Sequence, residues 1–408
     1  MVVHIVAVLA LVQGAADTLT VAEAVRLARA ANPSLAAARL MADAAAERVG
    51  PAGALPDPEL TLGLVNRPLY GFGVTEPMTM NVVGVSQVVP WPARLGAQRD
   101  RARRLAAAGS FDADETEATL VRRVEAAHHD LAFVDRSLSV MERTSGLLRQ
   151  FEEVARVRYA VGDGLQQDVL RAQVAVGQMT QEIVAMQAER RATAARLNTL
   201  LGRDATVPIA ALSFVTPHAD LPDMDSLLAL AVRQRPALAA ADERVRAAAA
   251  AERAARAELL PDLMLSVSYG QRPRFDDMVS LMVGISLPLW AGSRALPMRR
   301  ETAAIRAGAE ADALALRNET YAELTELHAA AVRAHALMEL YDDDILPQAR
   351  AAVASALAAY RVGRVEFATL LENEMAVNTY EIARLRFDVH YHHALAGIEA
   401  LTGFMGGH

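Results

Sequence analysis

A tyrosine, a glycine three residues on and a leucine eight residues after that glycine occur twice in this chain. They are Tyr159, Gly162 and Leu170, then Tyr360, Gly363 and Leu371. Each set interrupts two long helical patterns. Glycine accepts the left-handed conformation that ends a helix, so each set reads as the tip of a helical hairpin. In the first copy Asp163 and Gln166 have the spacing of a capping box that would start the return helix. Two matched tips about two hundred residues apart indicate a duplicated domain rather than a solenoid.

The segments around the tips repeat as well. Leu19 to Ala31 reads as a short amphipathic helix with Thr20 as N-cap and Glu23 at the capping-box position; Asn32-Pro33 breaks it, and Ser34 to Val49 resumes. The second half repeats this with Asp225 to Gln234, Arg235-Pro236 and Ala237 to Leu259. Both resumed helices run into Leu-Pro-Asp, at 55–57 and 260–262.

After each Leu-Pro-Asp the hydrophobic period changes to two, the signature of a strand. Leu263, Leu265, Val267 and Tyr269 alternate with Met264, Ser266, Ser268 and Gly270; Val279, Leu281, Val283, Ile285 and Leu287 alternate with Ser280, Met282, Gly284 and Ser286. The first copy places Leu60, Leu62 and Leu64 on one face, then a loop and a less regular strand from about Met78 to Val89. Strands of about ten residues suit a tilted membrane barrel. Four strands cannot close a useful barrel, because side chains already fill one of eight, so several chains must contribute.

From Pro92 the chain is helical to about Tyr159. Leu120, Val124, Ala127, Leu131, Val134, Leu138, Met141, Ser145 and Leu148 follow the three- and four-residue steps of a coiled-coil seam. Val169 to Leu200 continues it past the tip, and Leu324 to Ile345 with Leu371 to Val389 matches it in the second half. At 1.5 Å per residue the long helix spans roughly 100 Å, about the sum of its return helix and the helix before the strands. A rod of antiparallel helices, with strands at one end and hairpin tips at the other, is the economical arrangement. The expected boundaries are a first repeat over 17–206, with its strand pair at about 57–89 and tip at about 159–170, and a connector over 207–222. A second repeat over 223–403 follows, with strands at about 262–288 and tip at about 360–371, then a tail over 404–408.

Composition excludes much chemistry. There is no Cys and no Lys among the 408 residues, which removes thiolate metal sites, a cysteine nucleophile, a Schiff-base lysine and a P-loop lysine. A net charge of −8 argues against a dedicated nucleic-acid binder. No run reaches the ~20 apolar residues of a spanning helix. Residues 1–16, with an apolar run from Ile5 to Val12 followed by small residues, have the form of a signal peptide cleaved before Asp17. No catalytic constellation is present, and no cofactor is implied. His390, His392 and His393 are the best ligand cluster, weighed against ordinary helix histidines. Met78 and Met80 could touch soft Cu(I), weighed against packing. The run Arg99, Arg101, Arg103, Arg104 reads as a solvated or ion-paired face, and Asp342-Asp343-Asp344 before Pro347 as a solvated break in the second long helix.

The order of short helix, helix, strand pair, long helix, Tyr-x-x-Gly tip and return helix, occurring twice, resembles the TolC-like outer-membrane efflux proteins. The fold class it implies is mainly α with transmembrane β: a long coiled-coil helical barrel plus four strands per chain in a 12-stranded trimeric barrel. The resemblance implies an outer-membrane exit duct of a tripartite system in a Gram-negative bacterium, a homotrimer with a periplasmic tunnel. Its partners would be an adaptor (membrane fusion) protein, an inner-membrane pump and outer-membrane lipid, with no nucleic acid and no enzymatic activity. The segments Leu55-Pro56-Asp57-Pro58-Glu59-Leu60, Glu76-Pro77-Met78-Thr79-Met80 and Gly84-Val85-Ser86-Gln87-Val88-Val89-Pro90-Trp91 are similar to channels of heavy-metal efflux systems, making such cations candidate cargo. Ducts for drug efflux or type I protein secretion are the alternatives, and a periplasmic coiled-coil adaptor or structural protein the alternative of another class. Lacking an N-terminal Cys, the chain departs from the lipid-anchored members. Tyr159, Gly162, Leu165, Leu170, Tyr360, Gly363 and Leu371 would form the adaptor-contacting tips, both tyrosines packing beneath the glycines. Asp168 is the candidate selectivity residue of the aperture, and Leu265, Val267, Val283 and Ile285 would face lipid.

Overall fold

The computed structural model describes residues 18–67, 76–209, 212 and 221–403. The expected leader, the tail and most of the connector lie outside the described residues. The first half contains α1 (Val21–Ala31), α2 (Pro33–Glu47), α3 (Val49–Ala52), β1 (Glu59–Val65), β2 (Met80–Val89), α4 (Pro92–Ala160) and α5 (Gln166–Leu200). The second contains α6 (Met224–Gln234), α7 (Pro236–Ala257), β3 (Asp262–Gln271), β4 (Met278–Ser286), α8 (Ala295–Leu340), a π turn (Tyr341–Ile345), α9 (Leu346–Arg361) and α10 (Phe367–Thr402). Two compact units cut across the duplication. One comprises the chain up to Ala36, Thr116–Arg235 and Thr320 onward; the other comprises Ala37–Glu115 and Pro236–Glu319.

The first unit is helical. Every seam residue from Leu120 to Leu148 is buried. Leu120, Val124, Ala127 and Leu131 pack with Ala24, Val25 and Leu35 of α1 and α2 and with Leu197 of α5. Burying each such leucine or valine is worth roughly 1.5–3 kcal/mol, which outweighs the weak helix propensity of the β-branched ones. Thr20 caps α1 by accepting from the Glu23 amide at 3.2 Å, and Asn32 both ends α1 and caps α2, accepting from the Ser34 and Leu35 amides at 2.9 and 3.2 Å. Asn32 also donates to the Leu200 carbonyl at 2.9 Å, which ties the start of the chain to the end of α5. There Gly202, at φ +70°, passes so close to Ala31 that any Cβ would strike its backbone carbonyl; at Gly403, φ +63°, a Cβ would meet only the side-chain amide of Gln234, which can move.

The Asp342-Asp343-Asp344 stretch is not a break. The helix continues through it as a π turn, and Pro347 follows at the start of α9. In a regular helix the Pro347 ring would clash with the carbonyl four residues back, and a wider turn relieves this. The π turn also absorbs one extra residue. Before it, buried positions of the two halves match 200 apart: Val124 with Leu324, Leu131 with Ala331, Val134 with Ala334, Leu138 with Met338. After it they match 201 apart: Ser145 with Leu346, Ala155 with Ala356. Arg384 of α10 pins the turn by donating to both Asp342 carboxylate oxygens at 2.8–3.1 Å, and Tyr341 packs edge-on against Phe387 at 5.3 Å.

The second unit holds one antiparallel sheet in the order β1-β2-β3-β4. Alanines of α7 (Ala240, Ala247, Ala250) and of α4 (Ala97, Ala108, Ala113) are buried, and their small size permits close helix approach. Ion pairs Arg244–Asp112, Arg253–Asp100 and Arg104–Glu243, at 2.5, 2.5 and 3.3 Å, line the same contact, which accounts for part of the arginine run. Met80 packs over Gly270, whereas Met78 is exposed.

Candidate functional site: the hairpin tips and the sheet face

Both tips belong to the first unit, and both are Schellman turns. Gly162, at φ +83°, donates to the Tyr159 carbonyl at 3.1 Å while Asp163 donates to Arg158 at 2.9 Å; Gly363, at φ +73°, donates to Tyr360 at 3.0 Å while Arg364 donates to Ala359 at 2.9 Å. The expected capping box is absent. Asp163 is spent on the turn that closes α4, and the residue before α5 is Leu165, which makes no side-chain cap.

The two tyrosines have different fates. Tyr360 is 3% exposed and rests on Phe367, with ring centroids 5.3 Å apart. Tyr159 is 47% exposed and does not pack beneath its glycine. Arg158 explains the asymmetry. It reaches from α4 to the Tyr360 carbonyl, donates to the Asp163 carbonyl at 2.9 Å, and lies 4.7 Å from the Tyr360 ring centroid. The Tyr360 hydroxyl donates to Asp168 Oδ2 at 3.3 Å. Burial and the Asp168 charge raise the Tyr360 pKa, so the phenol remains a neutral donor. One clasp thereby joins α4, α5 and α9, and half-buried Asp168 is part of it.

Leu165 and Leu170 are exposed, as are Val161 and Val362, which the sequence reading passed over. Leu371 differs from its counterpart Leu170: it is half-buried against the cluster of Tyr360, Phe367 and Leu370. The free apolar surface of the tips therefore includes Val161, Leu165, Leu170 and Val362 together with the exposed ring of Tyr159, with Leu371 in a supporting place.

The sheet has two unlike faces. Its register sets Leu60 opposite Val85, Leu62 opposite Val83, Val85 opposite Val267, Leu265 opposite Val283 and Leu263 opposite Ile285. Leucines of the first copy and aliphatics of the second, including Leu265, Val267, Val283 and Ile285, thus form one exposed apolar surface. The reverse face is mixed: Thr61, Gly84, Ser86, Ser266, Ser268, Ser280 and Gly284 alternate across the strands with Val82, Val88, Met264 and Met282. Polar pairs bound the apolar band. Asn81 with Gln271 (3.1 Å) stands at one end, and Gln87 with the Pro56 carbonyl (2.8 Å) at the other.

The histidines are not brought together as a ligand set. His392 is buried and stacked on His129 at 4.0 Å, His393 pairs with Asp130 at 3.0 Å, and His390 is exposed. Among the described residues no group of His, Asp or Glu side chains could hold a metal ion, and no helix is long and apolar enough to cross a membrane.

Comparison with known proteins covers nearly the whole chain. A family model described as outer membrane efflux protein matches residues 24–203 and 227–404. The structure resembles the outer-membrane channel OprN (19% identity, TM-score 0.81, covering 95% of this chain and 90% of that one). It also resembles CusC, whose conformational changes accompany folding and transmembrane channel formation (18%, 0.82, 93% and 91%). A third likeness is to the open state of the Neisseria gonorrhoeae MtrE outer membrane channel (17%, 0.78, 94% and 88%). These proteins are channels rather than enzymes. No curated protein matches the sequence.

Proposed function

The chain belongs to the outer membrane efflux protein family, and we propose that it is the passive exit duct of a tripartite efflux system. The carrying observation is the sheet: one wholly aliphatic exposed stretch on one face, a reverse face in which serines and glycines are mixed with methionines and valines, and two edge strands, β1 and β4, unpaired among the described residues. Such edges in hydrocarbon demand closure, because no water is there to satisfy their amides and carbonyls. Three copies give twelve strands, a barrel wide enough to conduct. Leu265, Val267, Val283 and Ile285 then face lipid, and the serines face the lumen.

The remaining assignments rest on this reading. Residues 1–16 are an export leader, and two repeats, 17–206 and 223–403, flank the connector over 207–222. The apolar tip residues Val161, Leu165, Leu170 and Val362 meet a periplasmic adaptor. Asp168, repeated by threefold symmetry, supplies a ring of carboxylates that favours cations at the aperture. The matching segments between Leu55 and Trp91 support heavy-metal cations as cargo. The test is reconstitution of the purified protein in a planar bilayer after extraction from outer membranes. Discrete conductance from a species that changes electrophoretic mobility on heating is expected; a monomer with no conductance would overturn the assignment.

A further inference from the structure

The chain has two tryptophans, and both stand at the same structural place. Trp91 follows β2 and Trp290 follows β4, each at the passage from the second strand of a pair into a long helix. Each is followed within four residues by an arginine, Arg94 and Arg294. Trp290 is 80% exposed, and beside it Leu287 and Leu289 are nearly as open. These side chains continue the apolar strand face beyond the point where β4 ends.

The two arginines are used differently. Arg94 is committed to Glu258 and Asp262, at 3.3 and 3.0 Å. Arg294 is exposed, and its guanidinium makes no ion pair or hydrogen bond among the described residues. Both line a cavity of about 290 Å³ with Glu258, Asp262, Trp290 and Met298. Two guanidinium and two carboxylate groups leave this cavity neutral overall, with its open positive charge at Arg294.

We propose that this cavity is a binding site for a zwitterionic phospholipid headgroup. The lipid phosphate lies on Arg294 and its ammonium against the Glu258–Asp262 side. Trp290 sits at headgroup level and Leu287 and Leu289 meet the upper acyl chain. The inference deepens the outer-membrane reading and rests on it. Tryptophan is favoured at membrane interfaces because its ring is apolar while its N–H needs a polar partner. Arginine suits phosphate because its planar donors match two oxygens at once. A free inorganic anion would satisfy Arg294 alone and leave the apolar wall in water.

With two tryptophans in the chain, tryptophan emission excited beyond the tyrosine absorption reports these two junctions alone. Trp91→Phe isolates Trp290 in the full-length trimer, reconstituted in phosphatidylcholine vesicles that carry a nitroxide either on the headgroup or at mid-chain. Stronger quenching of Trp290 by the headgroup nitroxide is expected. Arg294→Gln should lower the retention of phosphatidylethanolamine through detergent washing about fivefold, the effect of one interfacial arginine. Inorganic phosphate added to delipidated trimer should leave the Trp290 emission unchanged; a response to phosphate alone would replace the lipid with a free anion. A third protein, Val283→Trp in a background without Trp91 and Trp290, reports the strand face. If that residue is quenched at mid-chain while Trp290 is reached by neither probe, a neighbouring copy covers the junction and the headgroup site is wrong. If Val283→Trp is not quenched either, the barrel reading itself fails.

Discussion

Arg158 of the first hairpin holds Tyr360 of the second, by its carbonyl and by the face of its ring. The duplicated tips are thus fastened by an unduplicated contact, since the place before Tyr360 that corresponds to Arg158 is held by Ala359. A guanidinium bonded to two carbonyls and lying over a ring contributes roughly 2–4 kcal/mol locally. Arg158→Ala should speed amide hydrogen exchange in both tips, over 158–168 and 359–367, and leave the α1 amides unchanged. Tyr360→Phe, which loses only the hydroxyl bond to Asp168, should do so about tenfold less. Unchanged exchange in the second tip of Arg158→Ala would show that the clasp is not formed.

On the sheet, Val283 and Ser280 lie on opposite faces of β4. An arginine at the bilayer midplane on the lipid side costs roughly 2–4 kcal/mol, and much less toward a lumen. Val283→Arg should therefore reduce the yield of membrane-inserted trimer sharply, and Ser280→Arg should reduce it little. Ser286 is unsuited to this comparison, because its hydroxyl accepts from the Asp262 amide at 3.0 Å and its loss would disturb the strand end. Equal yields from the two variants would reverse or abolish the assigned faces.

The π turn should tolerate loss of a residue. Asp343 is exposed, and the pinning carboxylate belongs to its neighbour Asp342. Deleting Asp343 removes the one-residue excess of the second half and lets a regular α turn form without rotating either flank. We expect a trimer of melting temperature within a few degrees of the parent; deleting Ala330, inside the seam, should prevent assembly because it rotates every later core residue by about 100°. Equal damage from both deletions would mean the π turn is not where the extra residue is absorbed.

Much of this architecture was legible because its signals are steric or periodic. The seam from Leu120 to Leu148 could be read because each member is buried and spaced for one helix face. Gly162 and Gly363 could be read because few other residues accept their φ. The strands could be read from alternation, but the union of their faces required the register of β2 against β3. The divergence of Tyr159 from Tyr360 was not legible, because it depends on which helix end Arg158 can reach. Nor was the supporting place of Leu371, which follows from Phe367 standing where the first copy has Gln166. The π turn has two traces in the sequence, Pro347 just after it and the shift from 200 to 201 between matching core positions, and neither by itself distinguishes a widened turn from a break.

Two histidines give stability opposite pH dependences. Burial lowers the pKa of His393, but the Asp130 carboxylate at 3.0 Å and the Ala126 carbonyl outweigh this and raise it above 6.5. Its contribution is complete below 6.5 and is lost as pH rises through the raised value. His128 is lowered by burial, against the weaker pull of the Leu19 carbonyl, so its contribution is intact above 6.5 and is lost as pH falls below it. The His393 pair is partly exposed, which limits the effect to roughly 1 kcal/mol or less. The melting-temperature deficit of His393→Gln should accordingly shrink between about pH 6 and pH 9. A deficit independent of pH would remove the ion pair from the account.

The tips supply the last prediction. Gly162 and Gly363 each adopt a positive φ and each donate an N–H to the carbonyl that closes the turn. Proline offers neither, since its φ is fixed near −65° and it has no N–H. Gly162→Pro with Gly363→Pro should therefore unwind both tips and displace Val161, Leu165 and Val362, the exposed apolar residues proposed to meet an adaptor. The strands are untouched by either substitution, so the trimer should still insert and still migrate heat-dependently. Pump-dependent resistance should be lost. Asp168→Asn serves as the companion, because it keeps an acceptor for the Tyr360 hydroxyl while removing the charge; it should lower cation selectivity in single-channel recordings and leave resistance largely intact. Full resistance in the double proline variant, with the trimer present in the membrane, would mean that coupling to the pump does not pass through the tips.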